Sequence, residues 1–406
     1  MIDVLILVPK LPYPVMDGDS VRHYNLIKRL SNDCNISLIC YCDEKYSDVG
    51  IAEMEKYCKN IRAIPHKKRS KLEWLKRFAS SYIKGSPSTT AVHYSPDMKH
   101  AVVSLLKEHK FDIVQIEHTF MSEYIDDVKR FSSAHTILTV HNLEAINVRR
   151  KFKHQTWGHL KVRHMIDTAV YPGFEKRAIN SFNACVTVSE LNAELIRPIR
   201  KDVIVVENGV DIALNSQLPV NPELCDLVFI GGMDYLPNID GATFMVESIL
   251  PLIRQKMMET KLYIVGRNPV PEVMALGASD GVEIHADVPD VKPWYEKAAI
   301  TVVPLRSGGG TRLKILESMA LGVPVVSTSI GCEGLDVTDK ENILIADTPS
   351  EFAECVCRLL QNPELRTQLS QNARSLVEHR YSWDAIAPKL MDVYTSLLET
   401  NHPAQG

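Results

Sequence analysis

The sequence lacks the long apolar runs and the short motifs that mark several large classes of protein. No run approaches about 18 apolar residues, so we expect no segment that spans a bilayer. The chain opens MIDVLILV before Pro9, with neither a basic region nor enough apolar residues for a signal peptide, which predicts a cytoplasmic protein. A Walker lysine loop, a G-x-G-x-x-G loop and a His-Glu-x-x-His pair are all missing. These absences argue against a simple ATPase or dehydrogenase and give little support to a metal site.

The nine cysteines form no zinc or redox motif. The pairs Cys40-x-Cys42 and Cys355-x-Cys357 have one intervening residue, a spacing that neither kind of motif uses. Thiols of a cytosolic protein are kept reduced. We therefore interpret all nine as ordinary small residues and predict neither a bound metal nor a cofactor.

Charge is nearly balanced over the whole chain but not within its halves. The 406 residues carry a formal net charge of −4, which argues against a dedicated nucleic-acid-binding protein. Residues 1–200 hold 30 Lys and Arg against 22 Asp and Glu, whereas residues 201–406 hold 16 against 28. A net of +8 beside a net of −12 suggests two domains that face different partners.

Short apolar runs alternate with longer helical patterns along the whole chain, and most of the runs are continuous rather than alternating. This pattern is typical of parallel strands buried on both faces by helices. The predicted strands are Val4–Val8, Ile36–Tyr41, Ile61–Ile64, Asp112–Ile116, Thr136–Val140, Ala184–Val188, Val203–Val206, Leu227–Ile230, Leu262–Val265, Val282–His285, Ile300–Val303, Pro324–Ser327 and Asn342–Ile345. Good examples of the predicted crossover helices are Ser20–Leu30 and Thr311–Leu321.

Thirteen strands are too many for one sheet, so we predict two α/β domains, each a doubly wound, Rossmann-like sheet. The break falls best in Asn208–Leu224, which is rich in Asn and Pro and lacks helical periodicity. The predicted organisation is a first domain over 1–207, a linker over 208–224 and a second domain over 225–384. A C-terminal helix with a loose tail, 385–406, is expected to pack back toward the first domain. Ligands of such sheets bind at the carboxyl ends of strands, so we expect the site in the cleft between the domains.

A glycine-rich segment follows one predicted strand of the second half. Leu305–Glu317 reads LRSGGGTRLKILE and leads into an amphipathic helix, whose N-terminal amides and dipole favour an anion. The residues expected to contact that anion are Gly308, Gly309, Gly310, Thr311, Arg312 and Lys314. Cations are unfavourable at a helix N-terminus unless an anion is present, so the segment predicts a bound diphosphate. The alternative is a glycine turn that only joins strand to helix.

Three further features point to the same edge of the second domain. Glu317 lies on the same helix among apolar neighbours, where a carboxylate can accept hydrogen bonds from two ribose hydroxyls; the alternative is an exposed helix acid. The pair Gly231–Gly232 and the pair Gly266–Arg267 each follow a predicted strand. Because strand carboxyl ends of a parallel sheet meet at one edge, these two loops and the glycine-rich segment Leu305–Glu317 are expected to serve one ligand.

At these residues the sequence resembles the group-1, family-4 glycosyltransferases, which are retaining enzymes with the GT-B fold. The resemblance is carried by FIGGMDYLPNIDG, YIVGRNP, GVEIHADVPDVKPWYEKAAITVVPLRSGGGTRLKILESMALGVPVVST and GCEGLDV in the second half. PKLPYPVMDGDSVRHYNLIKRL, VHNLE, CVTVSELNAELI and VVENGVD agree more loosely in the first half. It implies transfer of a sugar from a UDP- or GDP-linked donor on the second domain to an acceptor mainly on the first.

Residue by residue, Glu317 matches the second Glu of the family's E-x7-E motif and should bind the donor ribose, while the backbone around Ala286–Val288 should meet the nucleobase. Two departures stand out. Gly309 occupies the position of the first Glu, and Gly232 and Pro237 occupy those of the family's usual Arg and Lys. We infer that Arg312 and Lys314, with Arg267, supply the missing positive charge.

The first half offers polar residues after its own predicted strands. The expected catalytic residues are His118 and His141, and the expected acceptor-side residues are Asp19, Arg22, Glu117, Asn142 and Glu144, with Gly18 near a phosphate. The alternative for each histidine is a loop cap. Asp17-Gly-Asp19 also spells the D-x-D metal motif of another glycosyltransferase fold. It lies in a turn after the first strand rather than after an internal strand, so we predict no metal there.

Two basic stretches carry most of the positive charge of the first half. Residues 59–84 hold nine Lys and Arg against Glu73 alone, together with Leu72, Trp74, Leu75, Phe78 and Tyr82 at near-helical spacing. Residues 149–163 add six basic residues and no acid. A basic helix with an aromatic stripe is typical of membrane interfaces, whereas the alternative is a solvated helix whose apolar stripe lies in the core. A polyprenyl-diphosphate-linked saccharide would match both charge and membrane proximity, and no motif accompanies the charge that would read nucleic acid.

The sequence therefore predicts a retaining glycosyltransferase of cell-surface glycan synthesis, acting on a saccharide or polyprenyl-linked acceptor. We expect it in the cytoplasm, peripheral at the inner face of the plasma membrane. Two alternatives stay open. One is a catalytically silent subunit that binds a nucleotide sugar, suggested by the missing cations and by Gly309. The other is an epimerase that converts a nucleotide sugar without an acceptor.

Overall fold

A computed structural model describes residues 1–15, 17–66, 70–154, 158–213, 215–218, 221, 223–308 and 312–399. Contacts divide the chain into two compact units, Met1–Glu207 with the chain from Ile386 onward, and Asn208–Ala385. Each unit has its own parallel β-sheet. Two doubly wound α/β sheets are therefore confirmed.

The sheet of the first unit has the order β3-β2-β1-β4-β5-β6-β7, so its strand order reverses between β1 and β4. Its strands are β1 Ile2–Val8, β2 Cys34–Cys42, β3 Asn60–Pro65, β4 Ile113–Glu117, β5 His135–Val140, β6 Ala184–Thr187 and β7 Val203–Val205. The helices up to Glu207 are α1 Gly18–Leu30, α2 Ser47–Met54, α3 Lys71–Ile83, α4 Ser88–His93, α5 Pro96–Glu108, α6 Ile125–Phe131, α7 Glu144–His154, α8 His159–Asn180 and α9 Glu190–Ile196, with short 3₁₀ turns at Glu44–Tyr46 and Thr119–Tyr124. A reversal of this kind opens a crevice at the carboxyl ends of the two strands.

The second unit repeats the plan with the order β10-β9-β8-β11-β12-β13, reversed between β8 and β11. Its strands are β8 Leu227–Ile230, β9 Leu262–Gly266, β10 Val282–Ala286, β11 Ile300–Val303, β12 Val325–Ser327 and β13 Leu344–Ile345. Its helices are α10 Leu236–Phe244, α11 Leu250–Lys256, α12 Pro271–Ala275, α13 Lys292–Lys297, α14 Leu313–Leu321, α15 Pro349–Gln361 and α16 Pro363–Leu376, with a 3₁₀ turn at Leu276–Ala278 and π turns at Met245–Ile249 and Val377–Tyr381. The last helix, α17, is Trp383–Glu399, and from Ile386 onward it belongs to the first unit.

The strand cores explain why the continuous apolar runs predicted the sheets. Every residue of β4, β8, β9 and β11 is buried, because helices cover both faces of each sheet. The first sheet packs Leu5, Leu7 and Val114 into one core, and the second packs Phe229 and Ile264 into another. A polar side chain in such a strand must find a partner inside the protein, which makes the two polar residues of β4, Gln115 and Glu117, conspicuous.

Candidate active site

Three loops of the second unit converge at the edge where its strand order reverses. The backbone amide of Gly231, after β8, donates to the carbonyl of Val265 on β9 at 3.1 Å, and the amide of Asp287, after β10, donates to the carbonyl of Gly266 at 2.9 Å. A Cβ on Gly266 would lie 1.7 Å from the Gly231 carbonyl oxygen, so only glycine permits this approach. The Gly231–Gly232 and Gly266–Arg267 loops therefore lie against each other at this edge.

The residues expected near the nucleotide lie on these loops. Gly232 follows directly on Gly231, and the carbonyl of Arg267 accepts from the amide of Met233 at 2.8 Å. The side chain of Arg267 is exposed beside them. Val288 is partly buried against the apolar cluster that includes Tyr263 and Tyr295.

The glycine-rich segment ends in a helix that starts slightly later than the sequence suggests. Helix α14 begins at Leu313, and Arg312 is its N-cap residue rather than a member of its first turn. Arg312 is buried and donates to the carbonyl of Ile330 at 3.3 Å. Gly308 has φ +135°, in the left-handed region that favours glycine. Gly309, Gly310 and Thr311 lie outside the described residues.

Lys314 brings a cation to the loop that lacks the family's usual cations. Its Nζ donates to Asn238 Oδ1 at 2.8 Å and lies 4.6 Å from the ring centroid of Phe229, a residue of β8. A Cβ on Gly231 would lie 2.9 Å from this Nζ, so the amine sits directly beneath the Gly231–Gly232 loop. Burial, with the neighbouring charge of Arg312, lowers the pKa of Lys314 to about 7.

Glu317 lies one turn further along α14 and is only partly exposed. Burial raises the pKa of Glu317 to about 7, against the opposing effects of Lys314 and of the Tyr295 hydroxyl. Tyr295 itself is buried, and its hydroxyl also donates to the carbonyl of Lys314 at 3.3 Å. A base, an acid and a phenol therefore lie together beside the glycine loops.

A second polar cluster lies in the first unit, at the reversal between β1 and β4. Glu117, at the end of β4, accepts at Oε2 from His141 Nε2 at 2.6 Å and lies 3.2 Å from His23 Nε2 at the same oxygen. Its Oε1 accepts from Thr139 Oγ1 at 2.8 Å and from Gln115 Nε2 at 2.5 Å. We call the residues Asp19, His23, Gln115, Glu117, His118, Thr139, His141 and Tyr394 the β4 network, because each is joined to another by a hydrogen bond or ion pair.

Asp19 closes the network on its exposed side. Helix α1 begins at Gly18, capped by Asp17 and Ser20, which puts Asp19 in its first turn. Oδ1 of Asp19 lies 3.3 Å from His141 Nδ1 and Oδ2 lies 3.4 Å from His118 Nε2, and the two imidazole rings stack with centroids 4.0 Å apart. Although burial opposes ionisation, these histidines hold the pKa of Asp19 far below its usual range.

The remaining residues predicted for the first unit are placed less favourably for ligand binding. Arg22 was expected to line the first loop, but it is buried and donates to the carbonyl of Glu207 at 2.7 Å. Asn142 is partly buried after β5. The backbone amide of Glu144, at the start of α7, donates to Glu175 Oε1 at 2.6 Å, so a carboxylate of the protein occupies that helix end.

Sequence reasoning missed four members of the β4 network. His23 directly follows Arg22, a residue predicted for the site, and this neighbourhood was the only indication of its role in the sequence. Gln115 and Thr139 lie within strands that read as apolar runs. Tyr394 donates to Gln115 Oε1 at 2.5 Å across 279 residues of chain, a contact that no local pattern indicates.

Three histidines of the β4 network lie close enough together to raise the question of a metal site. Ring nitrogens of His23, His118 and His141 all lie within 4.8 Å of one another, a grouping that suits a metal ion. Those nitrogens face the carboxylates of Glu117 and Asp19 at hydrogen-bond or ion-pair distances. Because these contacts with the two carboxylates explain why the three imidazole rings lie close together, we interpret the cluster as an ion-pair network.

The basic helix of the first unit leaves part of its apolar side exposed, although Trp74, Phe78 and Tyr82 are partly buried. No described residue of α3 is buried, and Leu72, Leu75 and Ile83 are 61%, 66% and 87% exposed. The alternative that its apolar stripe lies in the core is therefore wrong. Tyr82 at the end of α3 donates to Asp167 of α8 at 3.1 Å, and α8 also exposes apolar side chains, Leu160, Val162, Met165 and Ile166. Among the helices of the described residues, none has the length and apolar character needed to cross a bilayer.

The two doubly wound units, with polar residues gathered where each strand order reverses, define an enzyme of GT-B architecture. A family model described as Glycosyltransferase Family 4 matches residues 22–214, and one described as Glycosyl transferases group 1 matches residues 225–362. Together they cover most of the chain, and the chain belongs to the group-1, family-4 glycosyltransferases. The expected fold, family and enzyme class are confirmed.

Relatives that align along nearly the whole chain have low sequence identity to it. An uncharacterized glycosyltransferase of Methanocaldococcus jannaschii is 23% identical, over 98% of this chain and 99% of its own. Sucrose-phosphate synthase of Thermosynechococcus elongatus superposes with a TM-score of 0.69 at 15% identity, over 98% and 100% of the two chains. Anabaena HepE, solved in complex with UDP and glucose, gives 0.66 at 12% identity, over 98% and 100%. These two solved structures show the shared fold.

Proposed function

We propose that this glycosyltransferase transfers a sugar, with retention of configuration, from a UDP- or GDP-linked donor to a saccharide or lipid-linked saccharide in cell-surface glycan synthesis. The observation that carries the proposal is the pairing of Lys314 and Glu317 beneath the glycine loops of the second unit. Anabaena HepE, which has the same fold, was solved with UDP and glucose. That precedent supports a nucleotide sugar as the donor.

In this proposal the donor's diphosphate meets the Gly231–Gly232 loop, with the amine of Lys314 and the guanidinium of Arg312 as its counter-charges. Lys314 reaches the loop from α14, which offsets the absence of a cation at Gly232 and Pro237. Glu317 accepts hydrogen bonds from the ribose. The backbone around Ala286–Val288 meets the nucleobase.

The chemistry follows from where charge develops. Breaking the bond between sugar and phosphate leaves negative charge on the departing diphosphate, and fixed cations in a site of low polarity stabilise that charge strongly. Lys314 and Arg312 fill this role. The acceptor oxygen forms its bond to the anomeric carbon on the face that the diphosphate leaves, and the leaving phosphate accepts the proton of that hydroxyl. Attack on this face retains the configuration and requires no nucleophile from the protein.

Transfer is tested by incubating the full chain with UDP- and GDP-linked hexoses and a panel of saccharide and lipid-linked saccharide acceptors. We expect one donor to yield a product heavier than its acceptor by one sugar residue, with the anomeric configuration of the donor by NMR. Binding without transfer to any acceptor would favour the silent-subunit alternative. Conversion of the donor's sugar in the absence of any acceptor would favour an epimerase.

We further propose that the exposed apolar sides of α3 and α8 contact an anionic membrane surface. Leu72, Leu75 and Ile83 project from a helix that also carries Lys71 and Lys76, the arrangement that interfacial helices use. Each basic residue near an anionic leaflet contributes about 1 kcal/mol. Such contact would bring a lipid-linked acceptor to the enzyme.

A double Leu72→Ser, Leu75→Ser variant should bind vesicles of anionic phospholipid about tenfold less than the wild type, since two leucines no longer enter the lipid. Co-sedimentation with anionic and zwitterionic vesicles at low and high salt measures this. The matched control is Val49→Ser, Leu195→Ser, which removes two exposed apolar side chains of α2 and α9. An equal loss of vesicle binding in both double variants, or equal binding of the wild type to both vesicle types, would refute the proposed membrane contact.

A further inference from the structure

The carboxylate of Glu117 is fully occupied within the β4 network. Its two oxygens make four contacts, with Gln115 and Thr139 at Oε1 and with His23 and His141 at Oε2. A carboxylate has about four lone-pair positions, so no acceptor capacity is left for a ligand. The side chain is also only 2% exposed. Glu117 therefore orients its neighbours and does not itself meet a substrate.

His141 has a carboxylate at each ring nitrogen. Nε2 lies 2.6 Å from Glu117 and Nδ1 lies 3.3 Å from Asp19. Only the imidazolium form donates from both nitrogens, so the two acids favour the doubly protonated ring. The ring is 5% exposed, and Asn192 fixes its backbone by donating to the His141 carbonyl at 2.8 Å. His141 is therefore placed as an internal cation rather than as a base.

The charged and titratable groups in and around the β4 network come from α1, from β4 with the residue after it, and from α17. Helix α1 contributes Asp19, His23 and the buried guanidinium of Arg22; β4 and the residue after it contribute Glu117 and His118; α17 contributes Tyr394. Although burial opposes protonation, the two carboxylates raise the pKa of His141. Burial, together with the charge of His141, lowers the pKa of His118 to about 4, so His118 is neutral.

Asp19 is the network member that a ligand can reach. Its side chain is 38% exposed, against 10% or less for His23, Glu117, His118 and His141. It lies after β1, next to β4, at the strand reversal where ligands of doubly wound sheets bind. Because it is held ionised by two histidines, it is a poor base and a strong, fixed hydrogen-bond acceptor.

We propose that Asp19 accepts hydrogen bonds from a hydroxyl of a bound sugar, and that His141 and Glu117 are positioning residues that fix the orientation of the Asp19 carboxylate. The proposal rests on the glycosyltransferase function proposed above. The hydroxyl belongs either to the sugar being transferred or to the acceptor saccharide, since both present the same chemistry. The sequence-based assignment of His141 as a catalytic residue is replaced by this positioning role.

Asp19→Asn is the first test, because asparagine keeps the size of the side chain but replaces an ionised acceptor with a neutral one. We expect kcat/KM to fall about 30-fold while affinity for free UDP or GDP is unchanged, since a nucleotide without a sugar does not reach Asp19. The matched control is Asp97→Asn, which removes an exposed acid from the first turn of α5 and should change kcat/KM less than twofold.

The two sources of the hydroxyl give different results. If Asp19 meets the transferred sugar, the variant binds the nucleotide sugar more weakly and hydrolyses it more slowly without acceptor. If it meets the acceptor, donor affinity and hydrolysis are unchanged and the acceptor KM rises. Wild-type kinetics in an Asp19→Asn enzyme that is folded and active would overturn the proposal alone. A wild-type enzyme that binds no nucleotide sugar would overturn the proposed function as well.

The positioning role of His141 has a spectroscopic signature. In ¹⁵N-histidine NMR, the ring absent from a His141→Gln variant identifies His141, and its shifts should show both nitrogens protonated at about pH 7.5. Asp19→Asn should lower the pKa of that ring, because it removes one of the two negative charges, whereas a purely structural role predicts no change. A neutral ring at this pH would overturn the assignment. Zn²⁺-dependent shifts at His23, His118 and His141 together would overturn it in favour of a metal site.

Discussion

Replacing Glu317 with alanine is expected to lower kcat/KM for the nucleotide-sugar donor by about 100-fold or more. In the proposed complex the carboxylate accepts two hydrogen bonds from the ribose, and a hydrogen bond to a charged group contributes about 1.5–3 kcal/mol. Losing both removes at least about 3 kcal/mol of binding in the transition state, which corresponds to about 100-fold in rate. Steady-state kinetics with varied donor and saturating acceptor measures this loss.

The matched control for Glu317→Ala is Glu354→Ala, which removes an exposed acid from α15 of the same unit. The control should keep kcat/KM within about twofold of the wild type. Arg312→Ala should also weaken donor use strongly, because it removes a charge placed for the diphosphate. Unchanged activity in both Glu317→Ala and Arg312→Ala would refute the location of the donor.

Affinity for the nucleotide sugar is expected to be greatest near pH 7 and to fall on both sides. The pKa values of Lys314 and Glu317 are each about 7 in the free protein, while the proposed complex needs the ammonium and the carboxylate together. Above pH 7 Lys314 loses its proton and binding must take one up. Below pH 7 Glu317 is protonated and binding must release one. Linkage then weakens binding by up to about tenfold per pH unit in either direction.

Isothermal titration from about pH 5.5 to 8.5, in buffers of different ionisation enthalpy, measures both the affinity and the proton count. The ligand should be a nucleotide sugar, since a terminal phosphate would itself ionise near pH 6. Glu317→Gln should abolish the decline on the acid side, and Lys314→Met the decline on the alkaline side. Lys256→Met, at an exposed lysine of α11, is the control and should keep the wild-type profile. An affinity independent of pH in the wild type would contradict the pairing.

The secondary structure of this chain was largely predictable because its strands are buried on both faces. Leu227–Ile230 and Ile300–Val303 coincide with β8 and β11, since an apolar run with no alternation leaves few other structures. The first and last residues of the helices were predicted less accurately than the strands. Helix α14 starts at Leu313 rather than at 311, because Arg312 takes the N-cap position and packs against Ile330.

The polar cluster of the second unit was easier to predict than that of the first unit because it is built from short segments. Lys314 and Glu317 lie on one helix, and the glycine loops meet it because strand ends of one sheet share an edge. The β4 network instead joins α1, β4, β5 and the distant Tyr394, so its geometry depends on the tertiary fold. Its position after a predicted strand suggested that His141 is catalytic, whereas the contacts of its two ring nitrogens with Glu117 and Asp19 depend on the tertiary fold.

The sequence pattern of α3 is compatible with two packing arrangements, and only the tertiary structure distinguishes them. A basic amphipathic helix can turn its apolar side to the core or leave it uncovered, and periodicity is identical in both cases. The exposure of Leu72 and Leu75 decides between them. Part of the positive charge of the first half therefore lies on a helix that also exposes apolar side chains.

The most direct test of the account is an isothermal titration of the full wild-type chain with UDP-linked and GDP-linked sugars at about pH 7. The account predicts saturable binding of at least one of them, at one site per chain. It also predicts that this binding is lost or greatly weakened in Glu317→Ala and retained in Glu354→Ala. Absence of binding to every nucleotide sugar, or equal binding by the wild type and Glu317→Ala, would contradict it.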